Sequence, residues 1–331
     1  MILAGDIGGT NTRLAWFELQ EKSLIPIAEE TFSSRDHNNL DQIVKKFREN
    51  YPMSVTQACF GVAGPVKQGR CEATNLPWIV DAQVLASELG LAAIGLINDL
   101  EANAHGIAML QPSDFITLNS GEVDAQGNAA LISAGTGLGE AGLVWNGQRH
   151  QPIASEGGHA DFSPRNELEM HLLRYLLIQF ERVSWERVLS GPGLYHLYQF
   201  FRDTGRAAEP TWLTEELRYQ DPPSAITQAA LAGRSTLCEL ALDLFISLYG
   251  AEAGNLALKM KATGGLFIGG GIAPRLIEPL KNSTTFMDAF TAKGRLRSLL
   301  EAIPVQVILN DKTALLGAAA WASQQHLVKT L

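Results

Sequence analysis

The 331-residue chain has little cysteine, and Cys59, Cys71 and Cys238 form no CxxC pair and sit in apolar segments. That pattern excludes a disulfide scaffold and predicts buried thiols in a reducing compartment. Charge is also sparse: 26 Lys+Arg against 35 Asp+Glu leave a net charge of −9. Lys and Arg are scattered, and the densest group, Lys293, Arg295 and Arg297, is too short to line a groove. Neither nucleic acid nor an anionic membrane surface is therefore an expected partner. Long apolar runs are missing too. Residues 237–249 are interrupted by Glu239 and Asp243 and fall short of the roughly 20 needed to span a bilayer. The opening MILAGDIGGT has no basic stretch before its apolar residues, so it does not read as a signal peptide, and a cytoplasmic location is expected. No GxxxxGK[ST] occurs, which excludes a P-loop.

What is present is an ordinary core-forming composition, 46% apolar, over a length that suggests two domains. Two stretches share one grammar. Residues 2–5, DIGGTN (6–11) and residues 13–19 read as strand, Gly-rich turn, strand; so do residues 130–133, AGTGLG (134–139) and residues 141–146. This weak internal repeat implies one Gly turn per domain. Helical spacing appears at 39–50, 166–180, 235–261 and 312–325, and Asp81 suits the N-cap of a further helix. Gly250 and Gly254 mark close packing or a break in the long third helix. Strands are expected at 57–63, 93–97, 266–268 and 305–309, and 210–223 reads as loop. The alternation predicts α/β layers with mainly parallel sheet cores.

The Gly turns are where chemistry is expected. Backbone N–H groups of Gly8, Gly9, Thr10 and Asn11 could approach phosphate oxygens closely, and Asp6 could hold Mg²⁺ through water. Gly135, Thr136 and Gly137 repeat that logic and add a hydroxyl. Together the turns suggest a nucleotide phosphate chain clamped between two domains. Asp99 follows a strand end, where open α/β sheets place ligands, and could accept a hydroxyl proton during attack on phosphorus. It also suits a helix N-cap, and the two roles are compatible. SEGGHAD (155–161) gathers Glu156, His159 and two glycines, groups suited to sugar hydroxyls, with no nearby cysteine to suggest zinc. In 184–193, Glu186 reads as a first-turn acid favoured by the helix dipole.

GDIGGTN, TNLPW, INDLEA, AGTGLG, SEGGHADF, ERVLSGPG and GGGIAP occur here in the order found in bacterial glucokinases, and the chain resembles that family from residue 2 to about residue 320. The resemblance implies a two-domain actin/hexokinase-like (ribonuclease H-like) α/β fold with an interdomain cleft. A discontinuous small domain would comprise residues 1–109 and 308–331, and a large domain 110–307. It implies phosphoryl transfer from ATP to the 6-hydroxyl of D-glucose with Asp99 as general base. Asn98, Glu156, His159 and Glu186 would bind sugar hydroxyls, with Asn75 close by. Gly8, Gly9, Thr10, Gly135, Thr136 and Gly137 would line the ATP phosphates, Gly269, Gly270 and Gly271 would lie by the adenosine, and Asp6 would face hydrated Mg²⁺. A homodimer without structural zinc is the family expectation, since Ala160-Asp161-Phe162 stands where related sugar kinases carry a Cys-rich motif. Alternatives are a kinase of another hexose or amino sugar, a non-catalytic sugar-responsive regulator, and a filament or chaperone ATPase of the same superfamily.

Overall fold

A computed structural model describes residues 1–21, 23–73, 76–122 and 124–328, except the side chains of 325–328. The chain divides into two compact units, one of Met1–Asp114, Gln151–Ala154 and Asn310–Leu331, the other of Phe115–His150 and Ser155–Leu309.

The first unit contains β1 (Ile2–Ile7), β2 (Asn11–Gln20), β3 (Ser23–Ser33), α1 (Leu40–Asn50), β4 (Gln57–Val62), β5 (Val66–Lys67), β6 (Arg70–Glu72), β7 (Ile79–Asp81), α2 (Ala82–Leu89), β8 (Gly95–Asn98) and α3 (Asp99–Gly106). Its main sheet has the order β3-β2-β1-β4-β8, in which β1, β4 and β8 run parallel and β2 and β3 fold back antiparallel. Asn39 caps α1 by accepting from Gln42 N–H, and Leu40, Ile43, Val44 and Phe47 face inward at helical spacing. These pack with Trp16, Phe32 and Phe60 on one side of the sheet. The opposite side holds smaller residues, Ala4, Ala15 and Cys59, which let the C-terminal helix approach closely through Ala314, Ala318 and Ala322. All three cysteines are buried and unpaired.

The second unit contains β9 (Phe115–Asn119), β10 (Ala129–Ala134), β11 (Leu138–Trp145), both ends of β12 (His150–Ser155), whose residues 151–154 are assigned to the first unit, α4 (Glu167–Leu176), α5 (Gly191–Asp203), α6 (Thr211–Glu216), α7 (Pro222–Leu231), α8 (Thr236–Met260), β13 (Gly265–Gly269), α9 (Ile277–Asn282), α10 (Thr285–Thr291), α11 (Arg297–Glu301) and β14 (Val305–Ile308). The C-terminal helix, α12 (Thr313–Val328), returns to the first unit. Sheet order is β12-β11-β10-β13-β14-β9, with β10, β13 and β14 parallel and the β10/β11 hairpin antiparallel. Both sheets therefore begin with a hairpin and extend through two parallel strands, the topological form of the repeat in the sequence.

Three local readings change, and one left open is resolved. Residues 210–223 are not loop: α6 and the start of α7 lie there. Prolines stand where they open helices, Pro210 just before α6, and Pro222 and Pro223 after the Asp221 cap of α7. Leu213, fully buried, anchors α6. The helix expected at 166–180 is shorter, with Asn166 as its cap and Leu176 as its last residue. Helix α8 runs unbroken, and Gly250 and Gly254 are contact points, since a Cβ on either would strike the carbonyl oxygens of Phe286 and Phe290 in α10. Finally, Asn98 rather than Asp99 caps α3. Among the described residues, no helix is long and apolar enough to cross a membrane.

Candidate active site

In the first unit, the turn from Gly8 to Thr10 joins β1 to β2 and is closed by Gly8 N–H donating to Asn11 O at 2.9 Å. Ser34, fully buried, braces it: its hydroxyl donates to Gly8 O at 2.7 Å and lies 2.9 Å from Thr12 Oγ1, while its N–H donates to Thr10 O. Asp6, opposite Arg13 in the hairpin register, stands two residues before that turn. Burial first, then the negative charge of Asp99, push its carboxyl up to about 6. Arg13 opposes the rise and Asp311 adds to it. Arg13 in turn grips Asp311, which precedes α12, through its carboxylate and its carbonyl oxygen, both at 2.6 Å. Asp6, Asp99, Asp311 and Arg13 thus form one electrostatic cluster around the Gly turn.

Asn98 ends β8 and spends its side chain on structure. Its Oδ1 accepts from Leu100 N–H at 2.9 Å and its Nδ2 donates to Gly64 O at 3.0 Å. Asp99 is therefore the first residue of α3, where Leu100 N–H also reaches its Oδ1 at 2.9 Å. Asn75 lies outside the described residues.

In the second unit, Gly135 to Gly137 closes the β10/β11 hairpin, with Gly135 N–H donating to Gly137 O at 2.8 Å. The N-terminus of α5 is tied to this turn by Gly191 N–H donating to Gly135 O at 2.8 Å. Gly269, Gly270 and Gly271 follow from the adjacent parallel strand β13. Gly270 has φ +82° and lies against Ala134 O, a position no side chain could take. Beneath both turns the buried Tyr249 hydroxyl accepts from Ala134 N–H at 3.3 Å and lies 3.4 Å from Gly269 O. Both Gly segments thus sit at carboxyl ends of parallel strands, the usual ligand position in such sheets.

Glu186 is a first-turn acid, but of a very short element. It occupies a single 3-10 turn, Trp185–Arg187, ahead of α5. Its Oε2 accepts from Leu138 N–H at 3.0 Å, immediately after the Gly135–Gly137 turn, and its Oε1 lies 4.0 Å from His159 Nδ1. Ser190 holds this segment by donating to Glu186 O at 2.7 Å and capping α5 at Gly193 N–H. Glu156 is exposed and precedes the 3-10 turn Gly157–His159, which closes with His159 N–H donating to Glu156 O at 3.0 Å. The second unit therefore brings Glu186 and His159 together beside a Gly turn, with Glu156 at the head of the turn that carries His159. Ser34, Asp311, Tyr249 and Ser190 are supports that sequence spacing did not single out. Among the described residues no cluster of three His, Cys, Asp or Glu side chains could hold a metal ion directly.

The glucokinase family model matches residues 3–325. A glucokinase of Nostoc sp. is 45% identical, covering 98% of this chain and 99% of its own. Among solved structures, a glucokinase from an Antarctic psychrotroph is 32% identical with a TM-score of 0.84, covering 98% of both chains. A ROK family glucokinase from Streptomyces griseus, solved in complex with glucose and AMPPNP, is 21% identical with a TM-score of 0.64, covering 98% of this chain and 99% of that one. The last supports the fold alone.

Proposed function

The chain belongs to the glucokinase family, an ATP-dependent group of actin/hexokinase-like sugar kinases, and from its geometry we propose how its residues share the reaction. The enzyme transfers the γ-phosphoryl group of ATP to the 6-hydroxyl of D-glucose, giving glucose 6-phosphate and ADP. Asp99 is the general base: its carboxylate takes the hydroxyl proton as the sugar oxygen bonds to phosphorus and the bond to the ADP oxygen breaks. Leu100 N–H at the start of α3 orients that carboxylate.

Glu156, His159 and Glu186 bind sugar hydroxyls. Asn98 fixes the β8–α3 junction that carries Asp99 through Leu100 and Gly64, and the second N–H of its amide is available to a sugar hydroxyl. The Gly8–Asn11 and Gly135–Gly137 turns cradle the nucleotide phosphates, and Gly269–Gly271 lies by the adenosine. Glu186 is the observation that carries this reading. One carboxylate holds the backbone just past a phosphate turn and faces His159, so sugar and phosphate recognition share a residue.

Mg²⁺ fits the first unit. Asp6, Asp99 and Asp311 concentrate negative charge there with Arg13 as their compensating cation, and a hydrated divalent ion facing Asp6 would relieve that repulsion. When bound, it would neutralise the charge of the β- and γ-phosphates. No structural zinc belongs to this reading. A homodimer in the cytoplasm, without nucleic-acid or membrane partners, is consistent with net charge −9 and buried free thiols.

ADP release with Mg·ATP, with and without glucose, tests the assignment on the native chain and Asp99→Asn. Glucose-dependent turnover should fall by about 10²–10⁴ in the variant while glucose affinity changes little. Retained turnover in Asp99→Asn would remove the base from this residue.

A further inference from the structure

The second unit buries Glu140, Glu169 and Glu252. Glu169 is met by Arg165, and Glu252 by Lys259 at 3.1 Å and Asn255 at 2.7 Å. Glu140, on β11, is different. Its Oε1 is buried with no hydrogen-bond partner, and its Oε2 lies so close to Gly157 that a Cβ there would overlap it. Gly157 is the residue between Glu156 and the turn ending at His159, and its N–H donates to Ser155 Oγ at 2.9 Å. Glu140 is thus the floor under that turn.

Burial, then the charge of Glu252, push the Glu140 carboxyl up to about 8, with Lys259 acting against the rise. The facing groups are few. Helix α8 supplies Glu252, Asn255 and Lys259. Lys293, beyond α10, reaches Asn255 Oδ1 at 2.6 Å, and the end of β12 supplies Ser155. An ionised, unpartnered carboxylate in such a place is costly, and the neutral acid costs far less.

We infer that Glu140 is a positioning residue for glucose: its neutral acid, buried beneath Gly157, supports the 155–159 turn, and its ionisation weakens sugar binding by displacing Glu156 and His159. The inference rests on the reading of those two residues as sugar partners. No bond is made or broken beyond the transfer of one proton to solvent.

Glucose affinity measured by calorimetry from pH 6.5 to 9.5 tests it. The native enzyme should weaken about three- to tenfold across that range, the equivalent of one ordinary hydrogen bond at the sugar. Glu140→Gln, a neutral isostere of the acid, should rescue binding and flatten the profile, whereas Glu140→Ala should bind weakly at every pH. Glu252→Gln removes the negative charge that holds the proton on Glu140, so its loss of affinity should move to lower pH. A flat native profile, or the native fall retained in Glu140→Gln, overturns the inference. If Glu140→Gln does not fold, an unmoved fall in Glu252→Gln overturns it equally. Glu156→Ala separates the two readings. Unchanged affinity there defeats the sugar assignment itself, while lost affinity beside a native-like Glu140→Gln profile defeats only the role of Glu140.

Discussion

Asp6 is held by opposing charges from residues far apart in sequence. Its carboxyl stands near 6 because burial and Asp99 outweigh Arg13, so its folded-state affinity for a proton exceeds that of an exposed aspartate. An acid limb in kcat/KM for Mg·ATP should follow, activity being lost as pH falls through about 6 and Asp6 takes up its proton. Arg13→Leu removes the positive charge that lowers this pKa, so the limb should move to higher pH. Asp311→Asn removes a charge that raises it, so the limb should move the other way. Both variants lose the same Arg13–Asp311 ion pair, so a purely structural effect would give shifts of one sign. pH–rate profiles of the two variants decide the matter, and shifts of one sign, or none, refute the assignment of the limb to Asp6.

Helix α3 carries Asp99, and its position is set by α12 rather than by its own sequence. Gly317 on α12 lies against Ala102 O, and a Cβ at Gly106 of α3 would strike Thr313 O at the start of α12. Gly317→Ala should therefore force the helices apart at a cost of about 1–3 kcal/mol, read as a lower Tm. Because Asp99 moves with α3 while Glu156, His159 and Glu186 belong to the other unit, kcat should drop more than glucose affinity. An equal loss in both would argue that the helix pair does not position the base. This dependence also explains what the sequence made legible. The β8–α3 junction, the Asn39 and Asp81 caps and both Gly hairpins follow local patterns of spacing and turn chemistry. Ser34 under Gly8, Asp311 beside Arg13 and Tyr249 beneath two Gly turns arise from strand register and helix packing, which bring together residues tens to hundreds of positions apart. Pro210, Pro222 and Pro223 misled for a different reason: proline breaks a helix interior but opens a first turn, and only burial of Leu213 distinguishes the cases.

Across the whole chain, the faint repeat of strand, Gly turn and strand corresponds to two sheets of the same order, hairpin first and parallel strands after. Duplicated topology puts a Gly turn at an equivalent place in each sheet, while the residues given to acceptor chemistry differ. The first unit holds the proposed base and the carboxylate proposed to face Mg²⁺, and the second holds the proposed sugar partners. That division has a thermodynamic consequence, because a ligand stabilises the folded protein in proportion to its own affinity and not to its role in the chemical step. Glucose at 100 times its Kd should add about 2.7 kcal/mol to stability and raise Tm measurably. Asp99→Asn should keep that shift although turnover collapses, since the base contributes little to ground-state binding. Glu186→Ala should lose most of it, because the carboxylate facing His159 and bracing Leu138 N–H is gone. Thermal scans of the three proteins with and without glucose, each at matched protein concentration, read this directly. A full glucose shift in Glu186→Ala, or its loss in Asp99→Asn, would reverse the division of labour between the two units.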